Sequence, residues 1–200
     1  MIRSCRQSRC RNAAGFTVVG MMVAFVVLGL VLSPLIRTLL TAEEGFVKSR
    51  QRAQTASSVR YAHLALTRFL RNAGSSPYSV PIEGIDPDPR GDGVFDDIRL
   101  RADFNPADGD TDDPGEDVTF YVRADTMFMR SANGVEQPYL IGVDSLAFEY
   151  YDWRGDVITD RDRVAERAAS ARLVVRGQVG PAANPSVRTL AGRVRLRNGG

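Results

Sequence analysis

Hydrophobic positions fall into distinct regimes along the 200-residue chain. From Phe16 to Ile36 they are nearly continuous, 21 residues without an ionisable side chain. As a helix this run is about 31 Å long, enough to cross a hydrocarbon core of about 30 Å. Glu44 and Lys48, four residues apart, then suit an exposed helix surface. Farther on, Val59, Ala62, Leu66, Phe69, Leu70 and Ala73 recur at helical spacing, with Arg60, Arg68 and Arg71 mostly off that stripe. Asn72, Gly74 and Ser75-Ser76-Pro77 end the pattern. One helix over about residues 16–73 is predicted, its first part in an apolar medium and its second half-buried by a domain. Pro34 lacks a backbone donor and is predicted to kink it.

After Gly74 the period changes to two. Ile98, Leu100, Ala102 and Phe104 read as a half-buried strand, and Val118–Arg123 with Thr126–Arg130 as a hairpin across Ala124-Asp125. Asn133-Gly134 signals a turn that needs positive φ. Tyr139 to Tyr151 reads as a single strand, and its aromatics, with Trp153 beyond it, as core residues. The charged segment from Asp160 to Ala169 suits a short helix, and Ala171–Val179 and Thr189–Arg197 two further strands. A long helix followed by an antiparallel sheet is an α+β arrangement. The chain divides into a leader (1–15), an apolar helix (16–36), its amphipathic continuation (37–73) and a β-rich head (74–200).

Charge sharpens the picture at the N-terminus. Arg3, Arg6, Arg9 and Arg11 precede Gly15 with no acidic residue among them, and the rest of the chain holds 22 basic and 24 acidic side chains. Four arginines on one flank place the N-terminus in the cytoplasm and the head across the membrane. The slightly acidic remainder argues against a nucleic-acid partner. Cys5 and Cys10, the only cysteines, lie in the leader at a spacing that fits no metal or redox motif. No small-residue cleavage site follows the apolar run, so a spanning anchor is favoured over a secretory signal. His63, the sole histidine, reads as a boundary residue beside the helical stripe.

Gly15-Phe16-Thr17 closes the basic leader and opens the span. This junction resembles the processing site of type IV prepilins and pseudopilins. The resemblance implies cleavage between Gly15 and Phe16 by a prepilin peptidase on the cytoplasmic side, then N-methylation of Phe16. Most members carry glutamate four residues after the new terminus, where it pairs with a neighbouring subunit's terminal ammonium; here that position is Gly20. A member lacking the acid suits the filament tip, with no subunit above it to neutralise. Pro34 lies a few residues earlier than the helix-breaking proline of many pilins, and Ala13-Ala14 replace the basic residue often found near the cut. Downstream, "LTRFLRNAG", "VDSLAFEYYDWRGD" and "VRLRN" follow the order seen in PilW-like minor pilins and pseudopilin-J-like subunits. The resemblance implies a structural subunit of a type IV pilus, with a type II secretion pseudopilin as the alternative inside the family. It also implies membrane lipid before assembly, other minor subunits and an assembly platform as partners, and a bacterial inner-membrane location with a periplasmic head. A signal-anchored periplasmic ligand-binding protein is the alternative outside the family.

Thirteen of the 24 acidic residues fall between Glu83 and Asp117, against three arginines. Asp86, Asp88, Gly91, Asp92 and Asp97 occupy offsets 1, 3, 6, 7 and 12 of a calcium-loop template, while Arg90 stands where a ligand belongs. Calcium on Asp86, Asp88, Asp92 and Asp97 is therefore a candidate beside a plain solvated loop, and no other cofactor is indicated. A second cluster, Asp108 to Asp117, offers carboxylates without that template. No nucleophile elbow, P-loop or dinucleotide fingerprint is present, and carboxylates in Pro/Gly-rich loops are poorly held for acid–base work. A non-enzymatic protein is expected.

Overall fold

In the computed structural model, which describes residues 17–76, 81–104, 107–179 and 185–196, the predicted helix is α1, Val18–Asn72. The chain divides into two units, Met1–Val47 and Lys48–Gly200, and α1 contributes to both. In the first unit every described residue is exposed. The helix is continuous through Pro34, where the ring removes one donor and leaves the preceding turn a carbonyl short of a partner.

In the second unit α1 buries Thr55, Val59, Ala62, Leu66 and Leu70. Among the described residues nine strands follow, all paired antiparallel. Strands β1 (Ile85–Asp86), β2 (Ile98–Arg101), β3 (Asp117–Arg123), β4 (Thr126–Ser131) and β5 (Glu136–Ile141) form one sheet in chain order. Strands β6 (Ser145–Tyr151), β7 (Val157–Ile158), β8 (Ser170–Val179) and β9 (Ser186–Arg195) form a second, ordered β7-β6-β8-β9. Helix α2 (Arg161–Arg167) lies between β7 and β8, with the Asp160 carboxylate accepting from Asp162 N–H at its start. The α+β reading therefore holds, with two sheets in place of one.

The division is made at Gly142-Val143-Asp144, inside the segment from Tyr139 to Tyr151 that reads as one strand. Gly142 adopts φ 86° and donates to the Asp125 carbonyl (2.8 Å), ending the first sheet. Val143 is fully buried, and Asp144 N–H bonds the Arg176 carbonyl (2.9 Å), which begins the second sheet. Phe148 and Tyr150 enter the core as expected, whereas Trp153 is 75% exposed and Tyr139 lies at the surface. The β3–β4 hairpin turns at Ala124-Asp125 as predicted, with both residues at positive φ (50° and 57°). At Asn133-Gly134 only the glycine takes positive φ.

One core joins the helix stripe to both sheets: Leu66 and Leu70 pack in the same cluster as Ile98, Phe120, Phe148 and Leu173. Phe69 meets Phe120 edge to face at 5.0 Å. Truncating a leucine buried to this degree to alanine costs about 2–5 kcal/mol. Glycines allow the helix its close approach. A Cβ on Gly177 would lie 2.4 Å from Val59 Cγ2, and one on Gly192 would lie 2.5 Å from His63 Nε2.

That approach desolvates His63. Its Nε2 is buried without a hydrogen-bond partner, and burial lowers the imidazole below its ordinary 6.5. As pH falls through 6.5 the unfolded chain takes up the proton first. The stabilisation is therefore complete above that value and declines below it, down to the folded pKa. Melting temperature should fall between pH 7.5 and 5 by less in His63→Leu than in the parent chain. Parallel pH profiles would rule the histidine out as the cause.

Candidate functional site: the apolar helix and the acidic turns of the head

Gly15 and Phe16 lie outside the described residues, so the geometry begins at Thr17. Thr17 opens the helix as a cap: its carbonyl accepts from Met21 N–H (3.1 Å) and its hydroxyl from Gly20 N–H (3.3 Å). Gly20 is exposed, and a Cβ there would meet only Thr17 Oγ1 at 3.4 Å, an ordinary contact. Space is therefore not the reason this position lacks a side chain. From Val18 to Leu40 the surface of α1 is a run of exposed valine, leucine, methionine and phenylalanine. The helix is long and apolar enough to cross a bilayer, and none of that apolar window is buried. After Pro34, Thr38 and Thr41 donate their hydroxyls to the carbonyls of Pro34 (2.8 Å) and Arg37 (2.9 Å). Back-bonding of this kind satisfies polar groups within the helix and favours a bend.

In the head, the calcium-template residues are held by donors from the protein itself. Asp86 takes a forked contact from Arg161 of α2, at 2.9 and 3.0 Å from Nη2. Asp88 is 3% exposed, and its carboxylate gathers the backbone N–H groups of Gly91 (2.7 Å), Asp92 (3.1 Å) and Gly93 (2.8 Å). Burial pushes that carboxyl up, but the three N–H donors and Arg161 outweigh it and hold it below the ordinary range. Asp92 accepts from Val94 N–H (2.9 Å). Asp97, buried, is raised by desolvation against the opposing pull of Arg90, whose Nε stands 2.6 Å from it. Arg90, at the offset of a missing ligand, thus supplies positive charge inside the loop.

Among the described residues, three carboxylates converge elsewhere. Oxygens of Asp108, Asp110 and Asp113 all lie within 4.8 Å of one another, and none of the four template residues joins such a group. Asp112 is raised by its hydrogen bond to Asp110 and by that carboxylate's charge; Asp113 is raised by desolvation and by the charges of Asp108 and Glu116. The D-x-D-x-D run from Asp108 to Asp112 was the available signal. Beside this turn lies a groove of about 900 Å³ whose walls include Tyr61, Leu64, Phe104 and Tyr139, with Arg68 and Glu116 at its polar positions.

Residues 10–36 match the model of the prokaryotic N-terminal methylation motif, the prepilin-type cleavage and methylation segment. Proteins with this motif are structural and non-enzymatic, processed by a prepilin peptidase and assembled with other pilins. No curated protein matches the chain. The motif with a single N-terminal apolar helix fits a single-pass, membrane-anchored protein of pilin-like or pseudopilin-like type.

Proposed function

We propose that the chain is a minor subunit of a type IV pilus assembly, placed at or near the filament tip. The observation that carries this reading is the exposed apolar surface of α1 from Val18 to Leu40, immediately downstream of the methylation-motif junction. In the membrane that surface faces lipid. Cleavage after Gly15 removes the four leader arginines and leaves Phe16 as the methylated terminus. Lipid contacts can then be exchanged for contacts with the helices of neighbouring subunits. The leader arginines favour a cytoplasmic N-terminus, and hence a periplasmic head. The chemistry of this function is assembly, and the chain contributes surfaces to it.

Gly20 supports the tip position. A shaft subunit gains from a carboxylate here, because a pair at 4 Å is worth about 4 kcal/mol at an effective dielectric near 20, before desolvation. A subunit with none above it has no ammonium to meet. Since the helix has room for the side chain, Gly20→Glu is expected to fold and insert normally. It should shift the subunit's cross-links towards shaft neighbours and lower its efficiency in starting filaments. Unaltered cross-links together with unaltered initiation would remove the tip assignment.

A further inference from the structure

Among the described residues the two sheets of the head end in four edge strands, β1 and β5 in the first and β7 and β9 in the second. An edge strand presents unpaired N–H and C=O groups that another chain can join, and folded proteins normally blunt it. Three of these edges are blunted. Strands β1 and β7 are two residues long, too short to template a partner. Strand β5 carries Pro138, and its pairing with β4 slips between Met127 and Phe128. Strand β9 differs. It pairs with β8 through ten consecutive positions without a bulge, contains no proline and is exposed over most of its length. Two hydrogen bonds fix the phase of that ladder. The Arg176 carbonyl accepts from Asp144 N–H (2.9 Å) on the side away from β9, and the Ala169 carbonyl accepts from Leu196 N–H (3.0 Å) on the side towards it. Even-numbered residues of β9 therefore bond β8, and the N–H and C=O groups of Val187, Thr189, Ala191, Arg193 and Arg195 point away from the sheet.

The charges on this edge are of one sign. Strand β9 holds Arg188, Arg193 and Arg195 and no acidic residue. Among the described residues none of the three is in an ion pair. Arg193 lies 4.2 Å above the Tyr151 ring and donates to Ser170 Oγ (2.9 Å), while Glu149, the carboxylate nearby, is held by Arg172 and Tyr151. We propose that β9 receives an extended acidic segment of another polypeptide as an added strand. The backbone of that segment bonds the outward-facing groups, which supplies affinity, and its side chains supply selectivity. Carboxylates two residues apart meet Arg193 and Arg195, whose side chains share the face of the sheet that carries Tyr151. On the other face an apolar residue covers Leu190, which is 37% exposed. The same arginines weigh against a second copy of the chain. Two β9 strands paired edge to edge would line up their guanidinium groups with no carboxylate between them. The edge stands independently of the filament reading.

The experiment uses the full chain in detergent and blocked, fluorescently labelled peptides of about ten residues, within the usual range of strand lengths. The probe alternates glutamate with valine and threonine. One control has lysine in place of glutamate, and another keeps the glutamates but is N-methylated throughout, so that it has no backbone donors. Anisotropy should show saturable binding of the acidic peptide with a Kd below about 1 mM, and both controls should bind at least about tenfold more weakly. Amide exchange across residues 186–195 should slow when the acidic peptide is bound. Ala191→Pro removes one outward donor and leaves the bonds to β8 in place, so binding should weaken about tenfold. Arg195→Glu, at an exposed side chain, should weaken the acidic peptide about fivefold and strengthen the lysine peptide. It carries the test should the proline lower the melting temperature. No saturable binding below about 1 mM overturns the proposal. So does equal binding of the N-methylated peptide, or binding that both variants leave unchanged, since the backbone edge would then not be the site. A chain that dimerises, with the dimer lost in Ala191→Pro, overturns the choice of occupant.

Discussion

Replacing Gly15 by leucine is expected to keep the chain at its unprocessed mass and out of any filament. The reason is steric first. A peptidase that cuts at the polar edge of a membrane helix must bind the junction as extended backbone, and glycine enters without a side chain to place. A clash of about 3 kcal/mol in the transition state slows cleavage on the order of 100-fold. The second reason is electrostatic. An uncut chain retains Arg3, Arg6, Arg9 and Arg11 at the end of a helix that would have to enter an apolar bundle, and each such charge costs several kcal/mol there. Intact-mass measurement of the chain co-expressed with a prepilin peptidase reads the first effect: the parent should begin at Phe16 and the variant at Met1. Recovery in sheared filaments reads the second. A Gly15→Leu chain that still matures at Phe16 would remove the peptidase from the account.

The elements that could be read from the sequence were those whose determinants are local. The stripe Val59, Ala62, Leu66, Leu70 and Ala73 is buried as its 3.6-residue spacing required, and the Ala124-Asp125 hairpin is set by its two flanking strands. The two-sheet division was hidden because Gly142-Val143-Asp144 is a short interruption of an apolar, aromatic run, with a single charge and no proline in it. Only the long-range bonds to Asp125 and Arg176 show where one sheet stops and the other starts. Trp153 was misread as core because aromatic content says nothing of direction; it sits in the β6–β7 turn with the Arg154 guanidinium 4.6 Å above its ring. In the acidic segment, too, position along the chain leaves direction open. Offsets along a loop describe which carboxylates could converge, but Asp86 is engaged by Arg161, 75 residues away, and Asp103 turns inward beneath a different turn. Ligation and charge pairing compete for the same oxygens, and tertiary contacts decide between them.

Gly177→Ala should be a strongly damaging single-methyl change in the head. Gly177 lies on β8 opposite Arg188 of β9, on the strand face that meets α1. A methyl there would stand 2.4 Å from Val59 Cγ2, 2.6 Å from the Gly142 carbonyl oxygen and 3.3 Å from Thr55 Cγ2. The valine could rotate, but the carbonyl belongs to the junction between the sheets and cannot move without breaking the Gly142–Asp125 hydrogen bond. Overpacking of this kind costs about 3 kcal/mol, the upper part of its usual range. For a domain of this size that corresponds to a fall of roughly 6–12 °C in melting temperature. Gly192→Ala offers the contrast, because its nearest neighbours are all atoms of the His63 ring, a side chain that can swing aside. It should cost about 1 kcal/mol, and His63→Ala in the same chain should relieve most of that. Val59→Ala should not rescue Gly177→Ala, since the carbonyl clash persists. Full recovery in the Val59 double variant would show that the helix side chain alone sets the fit, and that the Gly142 backbone yields more readily than its place between the two sheets implies.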